Sequence, residues 1–127
     1  SKPGDSYAHH DLSHHGQDPG KIERLAEVEG DILLEWGRSL QSLREAGLLK
    51  DTVSVLGSAL GNASSHDATN LPILIGGGAF RHGIHLAFDP KNPPPLCNLW
   101  LQILEHLGVD ATRSGTSTAD RLPGLEA

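Results

Sequence analysis

Between Gly20 and Ala46 the apolar residues Ile22, Leu25, Val28, Ile32, Trp36, Leu40 and Leu43 return at three- and four-residue steps. That spacing lines one side of an α-helix. Asp18 is placed to cap its start, with Pro19 at the first helical position, and Gly47 is the expected stop. Glu23, Glu27, Glu35, Arg38 and Arg44 fall mostly on the other side and read as a solvated face. Gly30 and Gly37 each weaken the helix by about 1 kcal/mol relative to Ala, so they are expected to mark a kink or a close helix contact.

The pattern then shortens. Asp51-Thr52-Val53-Ser54-Val55-Leu56-Gly57 is β-branched and bounded by turn residues, which predicts a buried strand. Leu71-Pro72-Ile73-Leu74-Ile75 predicts a second strand ended by Gly76-Gly77-Gly78, and Ala79–Asp89 predicts a turn with a short strand. After the stiff Pro90–Pro95 linker, helical spacing resumes over Leu96–Leu107. Leu96, Leu99, Trp100, Ile103, Leu104 and Leu107 form its expected buried face, and Gly108 its stop. The order of elements gives an α/β fold: a small, partly parallel sheet flanked by a long N-terminal helix and a C-terminal helix. Residues 1–19 are expected as a histidine-rich loop, 20–109 as the α/β core and 110–127 as an exposed polar tail. Two or three strands make a thin sheet, so an upstream region of the same protein or a partner chain is expected to complete it. The chain contains no Met and begins at Ser1, which points the same way.

Composition narrows the function. At 127 residues and 37% hydrophobic, with 4% aromatics, the chain suits one domain with an aliphatic core. A net charge of −6 with no basic stripe argues against nucleic acid as the main partner. No apolar run reaches the roughly 20 residues of a membrane-spanning helix. Cys97 is the single cysteine; it excludes an internal disulfide and reads as a small buried hydrophobe.

The chemistry concentrates in two polar segments. His9-His10-Asp11-Leu12-Ser13-His14-His15 holds four of the eight histidines. Gly57 to Asp67, between the two predicted strands, holds Ser58, Asn62 and His66-Asp67. Loops at strand ends are where α/β proteins keep functional groups. We expect the two segments to meet and form a polar, metal-competent site. His10, His14, His15 and His66 are the candidate ligands with Asp11 or Asp67 in support, because imidazole and carboxylate suit zinc or another divalent transition metal. The alternative is that these histidines are exposed loop residues. His82 and His85 read first as exposed turn residues, and His106 as a helix-end residue that favours the dipole. Ser58 lacks the spacing of a nucleophile elbow and reads as a turn residue. Gly76-Gly77-Gly78 lacks the lysine of a phosphate loop and reads as close backbone packing.

His10-Asp11-Leu12-Ser13-His14-His15 resembles the H-x-x-S-H-H signature of the HXXSHH family, bacterial proteins of unknown function that are mostly predicted to be exported. The similarity continues through Leu48–Val53, Gly57-Ser58, Asn62, His66, Asn70-Leu71-Pro72, Gly76-Gly77-Gly78, His85 and Leu107-Gly108-Val109. It covers nearly the whole chain and corresponds to the C-terminal part of longer members. That family is distantly similar to the alkaline phosphatase and sulfatase superfamily. The resemblance implies an incomplete alkaline-phosphatase-like domain, secreted or periplasmic, with candidate roles for His10, Ser13, His14, His15, His66 and His85. Ser13, Ser58, Asn62 and His85 would support ligands or bind an anion. The matching strand here ends Ser58-Ala59-Leu60-Gly61, without the superfamily's Asp-His metal pair. Two functions are therefore expected: a metal-dependent protein, ester hydrolysis being the implied reaction, or a non-catalytic subunit or assembly module of a larger extracellular complex. Whether the chain is an enzyme stays open at this stage, as does its oligomeric state.

Overall fold

The computed structural model describes residues 8–126. The first seven residues of the expected N-terminal loop, and Ala127, lie outside them. The described chain runs α1 (His9–Ser13), α2 (Pro19–Glu45), a 3-10 turn (Leu49–Asp51), β1 (Val53–Gly57), β2 (Ile73–Gly77) and α3 (Leu96–His106). It falls into two compact units. The first takes residues up to Ser42 together with Leu56–Leu74; the second takes Leu43–Val55 and everything from Ile75 onwards.

Helix α2 begins and ends as its sequence dictates. The Lys21 N–H donates to Asp18 Oδ1 at 3.0 Å, so Asp18 caps the helix with Pro19 behind it. At the other end Gly47 takes φ +73°, its N–H bonds to Arg44 O, and the Leu48 N–H bonds to Leu43 O. These two bonds make a Schellman stop, which needs a residue tolerant of the left-handed region. Gly108 closes α3 in the same way: its N–H bonds to Glu105 O and the Val109 N–H to Leu104 O. The expectation for Gly30 and Gly37 is corrected: α2 is continuous, and a Cβ at either position would meet nothing within 4 Å. The apolar side of α2 is only half-covered. None of its residues is buried, and Ile22, Ile32, Leu33 and Leu34 are exposed.

The sheet differs from the expected partly parallel one. It has two strands, paired antiparallel, with Gly57 set against Ile73 and Gly77 beside Thr52 O. A parallel pair needs a crossover, usually a helix, to carry the chain back to the first end. Residues 58–72 instead fold on themselves through an Asn62–Asp67 bridge and deliver β2 at the end where β1 stopped. Gly76 and Gly77 continue β2 rather than end it, because Gly77 lies against the backbone of Leu49 and Thr52. No strand forms over Ala79–Asp89; Phe80 makes an isolated bridge to Glu126 instead.

The core of the second unit also corrects two expectations. Phe80, Leu99, Leu101, Ile103, Leu122 and Leu125 are buried, whereas Leu96, Trp100 and Leu107 are exposed. The polar tail is not an exposed appendage. Asn98 Nδ2 donates to Thr118 Oγ1 and Asn98 Oδ1 accepts the Thr118 N–H, both at 2.9 Å. One turn along α3, Gln102 Oε1 accepts the Leu122 N–H at 2.8 Å. Asn98 and Gln102 are 1% and 4% exposed. They are affordable inside the core because the tail backbone satisfies them. The face of α3 that the tail covers is therefore partly polar, and the buried stripe turns away from Leu96 and Trp100.

Candidate functional site

In the first unit the two polar segments are in contact. Leu12 is 2% exposed and anchors α1. Residues two apart on a helix differ by about 200° in direction, so burying Leu12 turns His10 towards the opposite side. His14 follows at the C-cap, its N–H bonded to His10 O. The His10 and His14 rings meet edge-on with centroids 4.6 Å apart. Ser13 Oγ donates to His10 O at 2.8 Å and closes the turn between them.

The partner segment brings His66. Its backbone lies in the left-handed region, at φ +55°. That region is uncommon for residues other than Gly, though His is among those that tolerate it. The loop holds it there: the His66 N–H bonds to Ala63 O, and Asn62 and Asp67 exchange bonds around it. Gly61 makes this turn possible, since a Cβ there would stand 2.1 Å from Thr69 O. The result is that His66 Nε2 and His14 Nε2, 52 residues apart in sequence, stand 3.4 Å apart. Their ring centroids are separated by 4.8 Å. A second link, from the Gly16 N–H to Ser64 Oγ at 3.0 Å, ties the same two segments.

The remaining candidates are placed differently. Asp67 Oδ1 accepts both the N–H and the hydroxyl of Thr69, at 2.9 and 2.7 Å, and these bonds hold its carboxyl below the usual carboxylate range. His15 Nδ1 accepts the Gln17 N–H at 3.1 Å. Asp11 is exposed and its charge favours protonated His14. Ser58 Oγ accepts the Leu60 N–H, and Asn62 Oδ1 accepts the Ser65 N–H, so both act as turn residues. His85 is exposed and belongs to the second unit. Among the described residues, no group of three His, Cys, Asp or Glu side chains converges closely enough to hold a metal.

The His14–His66 Nε2 spacing is within hydrogen-bond reach in the metal-free chain and is also the spacing of two ligands on one ion. Zinc–nitrogen bonds of about 2.0–2.1 Å at the tetrahedral angle put two nitrogens about 3.3–3.4 Å apart. Ligand imidazoles must be neutral. The pKa of His14 is lowered, first by desolvation and then by the nearby His10 and His66, against the opposing pull of Asp11.

Two side chains make contacts that the sequence did not announce. Ser64 forms the second link between the segments; its only signal was its place beside His66. His106 accepts the Ala79 N–H on Nε2 at 3.3 Å and packs on the Phe80 ring at 4.8 Å. It keeps the expected place in the last turn of α3, exposed, and adds a contact to the Ala79 backbone. Cys97 is half-buried, and Thr116 Oγ1 donates to its sulfur at 3.5 Å, which lowers the thiol pKa. The second unit has a cleft of about 330 Å³ lined by Phe88, Pro93–Pro95, Asn98 and Asp120–Arg121 among others, and no histidine borders it. Among the described residues no helix is long and apolar enough to cross a membrane. Set against known proteins, the chain matches no family model, no curated protein and no solved structure.

Proposed function

We propose that this chain is a metal-binding part of an exported, alkaline-phosphatase-like protein, in which His14 and His66 hold a divalent transition metal. The observation behind this reading is the 3.4 Å approach of the two Nε2 atoms from segments far apart in sequence. Two imidazole nitrogens with no carboxylate suit zinc, copper or nickel better than magnesium or calcium. His10, edge-on to His14, would hold the His14 ring in place. A bound ion of this kind supplies Lewis acidity and lowers the pKa of water, which is the chemistry ester hydrolysis requires. Membership of the HXXSHH family, and with it a secreted or periplasmic location, is part of the proposal and rests on the H-x-x-S-H-H spacing from His10 to His15.

A second reading makes the chain a non-catalytic subunit or assembly module whose metal is structural. It is favoured by the missing Asp-His pair after β1 and by the half-covered apolar side of α2. The two readings share the metal and differ in the reaction. Plasma mass spectrometry on the purified protein should find a transition metal that disappears in His14→Ala and His66→Ala. Metal content unchanged in both variants, or no metal after reconstitution, refutes the site. Hydrolysis of a phosphate or sulfate ester by the loaded protein, lost in the same variants, selects the enzyme; loading without turnover selects the module.

A further inference from the structure

The His14–His66 pair supplies half of a tetrahedron, and two of the neighbouring donors, Asp67 and His15, each have an atom engaged elsewhere. The oxygen of Asp67 that accepts in the loop serves Thr69 twice, and His15 Nδ1 serves the Gln17 N–H. No third ligand converges on the pair among the described residues. The pair is also open to approach: His10 and His66 are exposed and His14 is half-buried.

We propose that the ion held by His14 and His66 is shared between two copies of this chain, the second copy completing the tetrahedron with its own His14 and His66. The inference rests on the metal-binding reading above and adds the partner that closes the site. Structural zinc sites are closed by four protein ligands. When one chain provides two of them, the two open positions are related to the filled ones by a two-fold axis through the ion. A second copy turned about that axis presents two imidazole nitrogens at the same 3.4 Å spacing. Two-fold pairing is the commonest oligomer symmetry, and it requires each surface to complement itself. A shared ion meets that requirement with a single pair of side chains. The left-handed backbone at His66 fits this role, because it fixes the imidazole on the outside of a loop that is itself held by the Asn62–Asp67 bridge. His10 packs against His14 from the α1 side and acts here as a positioning residue.

The test uses the 127-residue chain, stripped with a chelator and titrated with zinc alone. Sedimentation velocity gives the mass, and plasma mass spectrometry gives the zinc content of each species. The expected result is a monomer without metal and, with zinc, a dimer holding one ion per two chains. His14→Ala and His66→Ala should stay monomeric at every zinc concentration, while His10→Ala still dimerises. Circular dichroism of each variant checks that it is folded. Cobalt substitution gives a measurement independent of the variants: the intense visible bands of a tetrahedral all-nitrogen site should rise in step with dimer. A monomer holding one zinc per chain would overturn the sharing and leave the metal-binding reading standing. Absence of zinc binding would overturn both. A zinc-dependent dimer that survives in folded His14→Ala and His66→Ala would place the ion elsewhere and overturn the sharing at this pair.

Discussion

Replacing Gln102 by Leu tests whether the tail is part of the core or rests on it. Gln102 Oε1 accepts the Leu122 N–H at 2.8 Å, and Leu122 is itself buried. Leu has about the same volume as Gln, so the substitution opens little cavity and isolates the hydrogen bond. It leaves the Leu122 N–H without a partner away from water, which costs about 1–3 kcal/mol. The weaker contact from Gln102 Nε2 to Glu126, at 3.5 Å, adds little because Glu126 is exposed. Asn98→Ala removes two bonds of 2.9 Å, yet Thr118 is exposed and water can replace them. Its hydrogen-bond cost should therefore be the smaller of the two, about 1 kcal/mol, with the cavity left at the fully buried Asn98 adding to it. Urea unfolding reads both: with a slope of about 1–3 kcal/mol per molar, a loss of about 2 kcal/mol moves the midpoint by roughly 1 M. Amide exchange at Leu122 should accelerate in Gln102→Leu and much less in Asn98→Ala. A Gln102→Leu midpoint within error of the parent, or Leu122 exchange that accelerates equally in both variants, would refute the view that the tail is pinned through the Leu122 backbone.

Three further predictions concern glycines and protons. Gly30→Ala and Gly37→Ala should each stabilise the protein, by up to about 1 kcal/mol, because the new Cβ meets open space in a helix; thermal melts read this directly. Gly61→Ala and Gly77→Ala should destabilise it by about 1–3 kcal/mol, since backbone oxygens stand 2.1 and 2.2 Å from the added carbon and must move. In metal-free protein His14 should titrate below its ordinary value of 6.5, owing to desolvation first and His10 and His66 next. The unfolded chain then takes up this proton before the folded one. The His14 contribution to stability is therefore complete above pH 6.5 and lost as the pH falls from there through the lowered folded value. Proton NMR of the His14 ring should give that lowered midpoint, and His66→Ala should raise it; an unchanged midpoint in the variant would remove His66 as a cause.

Local rules made the ends of the helices legible in the sequence. Asp18, Pro19, Gly47 and Gly108 act through atoms within a few residues of themselves, and each does in the structure what its type requires. The sheet was legible as two strands but not in its direction, because direction depends on the path of residues 58–72. That path needs the absence of a Cβ at Gly61 and at Gly57, where backbone or side-chain atoms stand too close for one. The buried face of α3 was misread for a related reason. Periodicity counts apolar residues only, and two of the five buried positions on α3 are amides. Their burial depends on a tail some twenty residues further on, whose own apolar residues, Leu122 and Leu125, are too few to show a period. A polar helix face becomes a core face only when a specific backbone arrives to satisfy it, and no pattern within α3 announces that arrival.

The histidine site lies between these two cases. Density of histidine marked the first segment and a polar place between two strands marked the second, and His14 meets His66 as the two segments come together. Which side chains meet was not readable from spacing alone, because the selection is made by burial on one side and backbone on the other. Leu12, the one apolar residue inside the histidine run, chooses the direction of α1. Gly61, with the Asn62–Asp67 bridge, chooses the direction of His66. The same loop that sets the antiparallel sheet therefore sets the imidazole pair, and the two should fail together. Gly61→Ala ought to lower metal affinity as well as stability, although Gly61 is no ligand, whereas Gly77→Ala, at the far end of β2, should lower stability with the pair's affinity retained. Isothermal titration of folded samples of both variants with zinc separates the effects. Equal affinities would mean that His66 is aimed by something other than the turn at Gly61.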